Sequence, residues 1–289
     1  MTDFIEDAKV WATMPIPGAD ASGEQRKIYD AMSIDQLAEI WQALQHVGLR
    51  DQTEGTWDTT LYFDALPHNE PERALDLVLA VLRTEQDRLV LLQLGDKFTT
   101  SLIHAHAGTL IDRLEREVRG NPKLRWLLGG AYWWAPSEPL KARLERIADI
   151  ESWRADRDAS RAPPESIDFA SLSPAALARV WIEQSGKPQK DQNDLWSELR
   201  DYEREISNND PDRMLDMILE VLKIETNERM LGYLAAGPLE DAIGMNTIDR
   251  VEREAAANKR FRWLLGGVWY YSAPDELKAR LDAIIKEHW

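Results

Sequence analysis

Residues 111–144 read IDRLEREVRGNPKLRWLLGGAYWWAPSEPLKARL, and residues 248–281 read IDRVEREAAANKRFRWLLGGVWYYSAPDELKARL. The two stretches align without a gap at an offset of 137, and IDR, RWLLGG and LKAR are identical in both. Upstream the offset becomes 140: Leu37-Ala38-Glu39-Ile40-Trp41 matches Leu177-Ala178-Arg179-Val180-Trp181. Pro71, Arg73, Leu75 and Asp76 match Pro211, Arg213, Leu215 and Asp216. Copy one is therefore three residues longer between the two blocks, near Gly95–Gly108, opposite the GPLEDAIGMN of copy two. Trp57 pairs with Trp196 if one more small gap is allowed. Similarity sustained over such a span is a duplication of one structural unit, not chance periodicity.

The unit is helical. Leu75, Val78, Leu79 and Leu82 recur at i, i+3, i+4, i+7, and Met214, Ile218, Val221 and Leu222 form the same kind of stripe. That spacing puts apolar side chains on one helix face. Start signals agree: Asn69-Glu70-Pro71, Asn209-Asp210-Pro211, Asn121-Pro122 and Ser173-Pro174 each place a polar cap before a first-turn proline. Ser33 with Gln36 fits a capping box. No alternating strand with hairpin chemistry is seen. The fold class is all-α, two tandem homologous helical bundles, with a solenoid-like stacking as the variant. The expected division is unit 1 over 1–150 with an N-terminal extension, a charged linker or loose connecting helix over 151–167 that breaks at Pro163-Pro164, and unit 2 over 168–289. Residues 15–27 read as the matching irregular lead into copy one.

Within the shared signature, positions 124, 127, 128 and 131 make an apolar stripe, with Trp126, Tyr132, Trp133 and Trp134 around it. A helix apolar on nearly all sides is central and buried. Gly129-Gly130 and Gly266-Gly267 are costly inside a helix. Two readings explain them: a core helix crossed closely by a neighbour, or a ring-lined slot for a small ligand. The first makes Trp126 and Trp263 core residues. Ile111, Leu114 and Val118, like Ile248, Val251 and Ala255, face inward, leaving the intervening charges on a solvated face with an Asp112–Arg116 pair. Arg125 and Arg262 are placed to reach back to that helix. Gly237-Pro238-Leu239-Glu240-Asp241 reads as a helix start.

Charge narrows the function. The net charge is −16, and it divides as −8 for residues 1–150 and −8 for 151–289. An acidic surface repels nucleic-acid phosphate and favours a basic protein partner or simple solubility. Cysteine is absent, which excludes disulfides, thiolate nucleophiles and Cys-based metal sites. No apolar run has membrane-spanning length, and the acidic start MTDFIEDAKVWATM is no secretory signal, so no membrane partner and a cytoplasmic location are expected. No catalytic, cofactor-binding or metal site is assigned: HExxH, phosphate-loop, GxSxG and dinucleotide fingerprints are all missing. Among His46, His68, His104, His106 and His288, only the His104/His106 stretch, read as a loop, stands apart. Two positions apart on a helix they would diverge, which suits shared ligation poorly.

The stretches Leu234–Asp241, Ile248–Glu252 and Phe261–Trp269 resemble a bacterial helical family of unknown function with the pattern GPLED…IDxVE…FRxxLxGVW. Copy two matches it well. Copy one departs, lacking GPLED and reading Ala131-Tyr132 for Val268-Trp269. The resemblance implies a helical domain, here doubled, and brings no catalytic residues. The expected function is a non-enzymatic protein-binding module, an immunity- or antitoxin-like protein covering a basic toxin or nuclease. Glu198, Asp201, Glu203 and Glu205, or Asp51, Glu54 and Asp58, are candidate contacts. The alternatives are a small-ligand binder or enzyme using the ring-lined interior, and a scaffold or homodimer.

Overall fold

A computed structural model describes residues 21–132, 137–160 and 167–285 of the chain. Trp133, Trp134, Pro163-Pro164, His288 and the residues up to 20 lie outside the described ones. Every regular element among the described residues is helical, as the spacing predicts. Copy one contains α1 (Ala21–Ala31), α2 (Ile34–Gln45), α3 (Glu54–Asn69), α4 (Pro71–Thr84), α5 (Arg88–Gln93), a π-helical segment (Leu94–Thr99), α6 (Thr100–Glu117), α7 (Pro122–Leu128), α8 (Glu138–Ile147) and α9 (Ile150–Ser160). Copy two contains α10 (Pro174–Gly186), α11 (Asp194–Asn209), α12 (Pro211–Ile224), α13 (Glu228–Leu234), a π-helical segment (Ala235–Leu239), α14 (Glu240–Ala242), α15 (Ile248–Ala257), α16 (Lys259–Leu264), a 3₁₀ turn (Leu265–Gly267) and α17 (Asp275–Ile284).

The caps work as their chemistry requires. Gln36 N–H donates to Ser33 Oγ at 3.3 Å while Ser33 N–H donates to Gln36 Oε1 at 3.0 Å, so two orphan donors are satisfied at once. Asn121, Ser173 and Asp210 each accept from the backbone three residues on. Glu70 makes no such side-chain cap. Thr53 and Asn193 start α3 and α11 at the unbroken offset of 140. The Trp57–Trp196 pairing is therefore wrong by one position: the helices align without the extra gap.

Each unit holds its own core. Leu75, Val78 and Leu82, and all four of Met214, Ile218, Val221 and Leu222, are buried. Two boundaries differ from the sequence reading. Residues 21–27 begin α1 rather than an irregular lead. Residues 151–160, expected as linker or loose connecting helix, form α9, which is docked: its Trp153 is buried in the core of copy one. A bulky ring among charges looked like linker composition, but one residue is enough to dock a helix. By internal contacts α9 belongs to unit 1, while Gly48–Arg50 groups with unit 2 and Pro188–Asp191 with unit 1.

The glycine pair does not lie inside an α-helix. Gly129 ends α7, and Gly266-Gly267 close the 3₁₀ turn. Close approach is nonetheless the reason for it in copy one. A Cβ on Gly129 would stand 2.2 Å from the Asp149 carbonyl oxygen, and one on Gly130 would stand 2.3 Å from the Trp153 ring. The neighbour is the start of α9, not a crossing helix.

The repeated charges on this solvent-facing side form clamps. Arg113 binds Glu72 and Asp76 on α4, and Arg250 binds Asp212 and Asp216 on α12. Arg143 donates to Glu115 and Asp112, and Arg280 donates to Glu252 and Asp249. Asp112 thus pairs with Arg143, not with Arg116. Lys123 and Arg260 donate to the last carbonyls of the preceding stripe helix, Leu82 and Glu85 or Leu222 and Glu225. Such charge-assisted bonds favour the helix C-terminus they close. Arg262 reaches back to the Ala255 carbonyl at 3.1 Å, as expected. Arg250→Ala should cost unit 2 about 1.5–3 kcal/mol, the range for hydrogen bonds to charged groups. Urea unfolding at low and high salt would check it, the loss shrinking as salt screens the pair.

Candidate functional site

The most distinctive local feature of both copies is the π-helical segment after α5 and after α13. Its two occurrences fall at the 140 offset, so Gly237-Pro238-Leu239-Glu240 corresponds to Lys97-Phe98-Thr99-Thr100. GPLED is therefore not a helix start but the interior of a helix that runs on from α13. Proline is not its cause, because Phe98 takes the same place in copy one. The three extra residues of copy one fall one step later. Copy one runs through as the 18-residue α6, while copy two breaks over Ile243–Thr247 before α15. Wide turns of this kind bring side chains out of helical register and recur at functional sites.

Directly after that wide turn, each copy ties down the chain that follows its glycine pair. The backbone N–H of Trp269 donates to Glu240 Oε2 at 3.2 Å. In copy one the N–H of Tyr132 donates to Thr100 Oγ1 at 2.9 Å. Thr100 and Glu240 are equivalent positions, as are Tyr132 and Trp269. The two separated parts of the signature, GPLE and GGVW, meet at this bond. A second tie follows: Tyr270 Oη donates to Asp282 Oδ1 on α17 at 2.8 Å. Partial burial, with the Asp282 charge adding to it, pushes the Tyr270 hydroxyl up to about 12, so it stays a donor at any physiological pH.

Beside those ties two rings face water. Trp269 is 72% exposed and Tyr271 83% exposed. Their rings meet edge to face at 6.3 Å, and Tyr270 stacks on Tyr271 at 6.3 Å. Trp263 is 40% exposed, which overturns its reading as a core residue. The aliphatic stripe behaves as predicted: Leu124, Leu127, Leu128 and Ala131 are buried, as are Phe261, Leu264, Leu265 and Val268. The equivalent Trp126 is buried because α9 covers it. Its indole N–H donates to Asp156 at 2.8 Å and Arg88 stacks on its face. Among the described residues no such helix covers Trp263. Reading every signature ring as core missed this surface. The available signal was Gly266-Gly267, a pair that favours a helix end and so leaves the rings at 269–271 beyond it.

The other candidates disperse. His104 and His106 lie inside α6 rather than on a loop, and His106 Nε2 sits 2.8 Å from the His68 carbonyl oxygen. No group of three potential metal ligands occurs among the described residues. No helix among them is long and apolar enough to cross a membrane. Glu198, Asp201 and Glu205 are exposed on α11, with Asp201 bonded to Arg204. Asp51 is exposed and Asp58 half-buried, while the Glu54 side chain lies outside the described ones. Glu203 is only 4% exposed, so it is no surface contact.

A family model described as a family of unknown function (DUF6869) matches residues 45–152 and again 183–289. Both matched spans contain the wide turn, the clamp arginines and the glycine pair. No curated protein and no solved structure matches the chain.

Proposed function

With the chain belonging to the family of unknown function DUF6869 in two tandem copies, we propose that it is a protein-binding module of immunity or antitoxin type, and that copy two docks a basic partner through Trp269 and Tyr271. The observation that carries this reading is a tethered yet exposed pair of large rings. A segment tied at Trp269 to Glu240 and at Tyr270 to Asp282 has less chain entropy left to lose on binding, which lowers the cost of association. Trp and Tyr are the residues that most often supply the central contacts of an interface. The net charge of −8 on residues 151–289 steers a cationic partner toward it and disfavours an acidic one.

The test is affinity capture with the full chain from an extract of its native host. One stoichiometric basic protein is expected. Trp269→Ala combined with Tyr271→Ala should weaken its capture at least about 30-fold, the size of a hot-spot loss, while the melting temperature stays within a degree or two. Full retention by the double variant would remove these rings from the interface. Absence of any stoichiometric partner would remove the binding function itself.

A further inference from the structure

Copy two buries a carboxylate where copy one buries a benzene ring. Glu203 on α11 is 4% exposed, and its equivalent at the 140 offset, Phe63 on α3, is 3% exposed. The position thus accepts an apolar ring in the same fold, and a buried ion pair is rarely the more stable choice. One guanidinium holds the charge: Arg200 bonds Glu203 Oε2 from one turn earlier on α11. Glu203 Oε1 has no hydrogen-bond partner, nor does the fully buried Trp181 Nε1. The Trp181 N–H nonetheless faces the carboxylate closely enough to favour its charged form. Arg200 in turn lies 5.7 Å above both the Trp196 and the Tyr233 rings. Copy one keeps Trp41 at the position of Trp181 but has Phe63, Thr60 and Gln93 at those of Glu203, Arg200 and Tyr233, so the charged part of this arrangement does not repeat.

We propose that Glu203 and Arg200 form a proton-operated latch in copy two. Ionised Glu203 holds Arg200 across Trp196 and Tyr233, and protonated Glu203 releases it toward solvent, where a third of the Arg200 side chain already lies. Every neighbouring element contributes to the balance. Burial raises the Glu203 pKa to about 7, Arg200 on α11 and Trp181 on α10 oppose the rise, and Asp241 on α14 adds to it. Tyr233 on α13 is itself raised, by burial first, and stays neutral. Arg213 on α12 is committed elsewhere, to the Tyr202 hydroxyl and three backbone carbonyls. The sign follows from a folded value above the ordinary glutamate value of 4.5. The folded state prefers the protonated form, so the stabilisation is complete below pH 4.5 and is lost as pH rises through about 7. The latch closes over the same interval, in the neutral range.

Carboxyl-carbon NMR on the intact chain tests this. One glutamate carboxyl is expected to titrate near pH 7 and to vanish in Glu203→Gln. The Arg200 Nε–H signal should move with the same midpoint and become flat in that variant. Glu203→Phe, which installs the side chain copy one carries, keeps the comparison valid if the amide variant fails to fold. Between pH 5 and pH 8 the unfolding constant of the wild-type unit should rise on the order of 50- to 100-fold more than that of Glu203→Phe. A carboxyl that titrates in the ordinary range overturns the proposal. So does an Arg200 signal that ignores the titration of Glu203.

Discussion

Gly129→Ala is expected to cost unit 1 about 3 kcal/mol, the upper end of the range for overpacking. The added methyl would stand 2.2 Å from the Asp149 carbonyl oxygen and 2.6 Å from its carbon. Both are backbone atoms, and no side-chain rotation relieves the clash. Nor can the backbone retreat freely. Asp149 N–H is bonded to the Arg125 carbonyl at 2.9 Å, and Trp153, one turn further, is locked in the core. Moving α9 away would expose Trp153 and uncover Trp126 together. Gly108 is the control. It lies in α6 with nothing within 4 Å of its Cβ position, so Gly108→Ala should stabilise by up to about 1 kcal/mol through helix propensity. Thermal or urea unfolding separates the two. A Gly129→Ala protein that unfolds with the wild type would mean that α9 does not start against the glycine.

Phe261→Ala should cost unit 2 about 3–5 kcal/mol, the usual loss for truncating a fully buried aromatic side chain. Trp263→Ala, two residues on, should cost about 1 kcal/mol, the middle of the range for point substitutions. Phe261 is 0% exposed and Trp263 is 40% exposed. The reverse holds across the copies. Trp126→Ala should cost about 3–5 kcal/mol, since α9 buries that ring, although Trp126 and Trp263 stand at equivalent positions of an identical hexapeptide. Denaturant unfolding of the three variants is the measurement. Equal losses for the two tryptophans would mean that Trp263 is covered after all.

These contrasts show where reading the residues stops working. The periodic stripes, the caps and the duplication are local quantities. A 3.6-residue repeat of apolar side chains decides a helix face wherever the helix is placed. The clamp arginines were visible as identities between the copies, but their partners were not. Arg113 reaches back about forty residues to Glu72 and Asp76, and nothing near it in sequence says so. His104 and His106 looked like loop residues because copy one is longer there. With the three added residues copy one instead runs on as one 18-residue helix where copy two breaks.

The amino-acid sequence determined by itself that this chain is helical and doubled, because helix periodicity and end-capping act within a few residues and an ancestral unit leaves its register in both copies. Tertiary structure alone decided that Trp153 belongs to the first core, that the glycine pair makes room for α9, that Trp269 and Tyr271 face water, and that Glu203 does not. Burial is a property of what lies opposite, and the covering residue in each case arrives from another helix that local sequence does not specify.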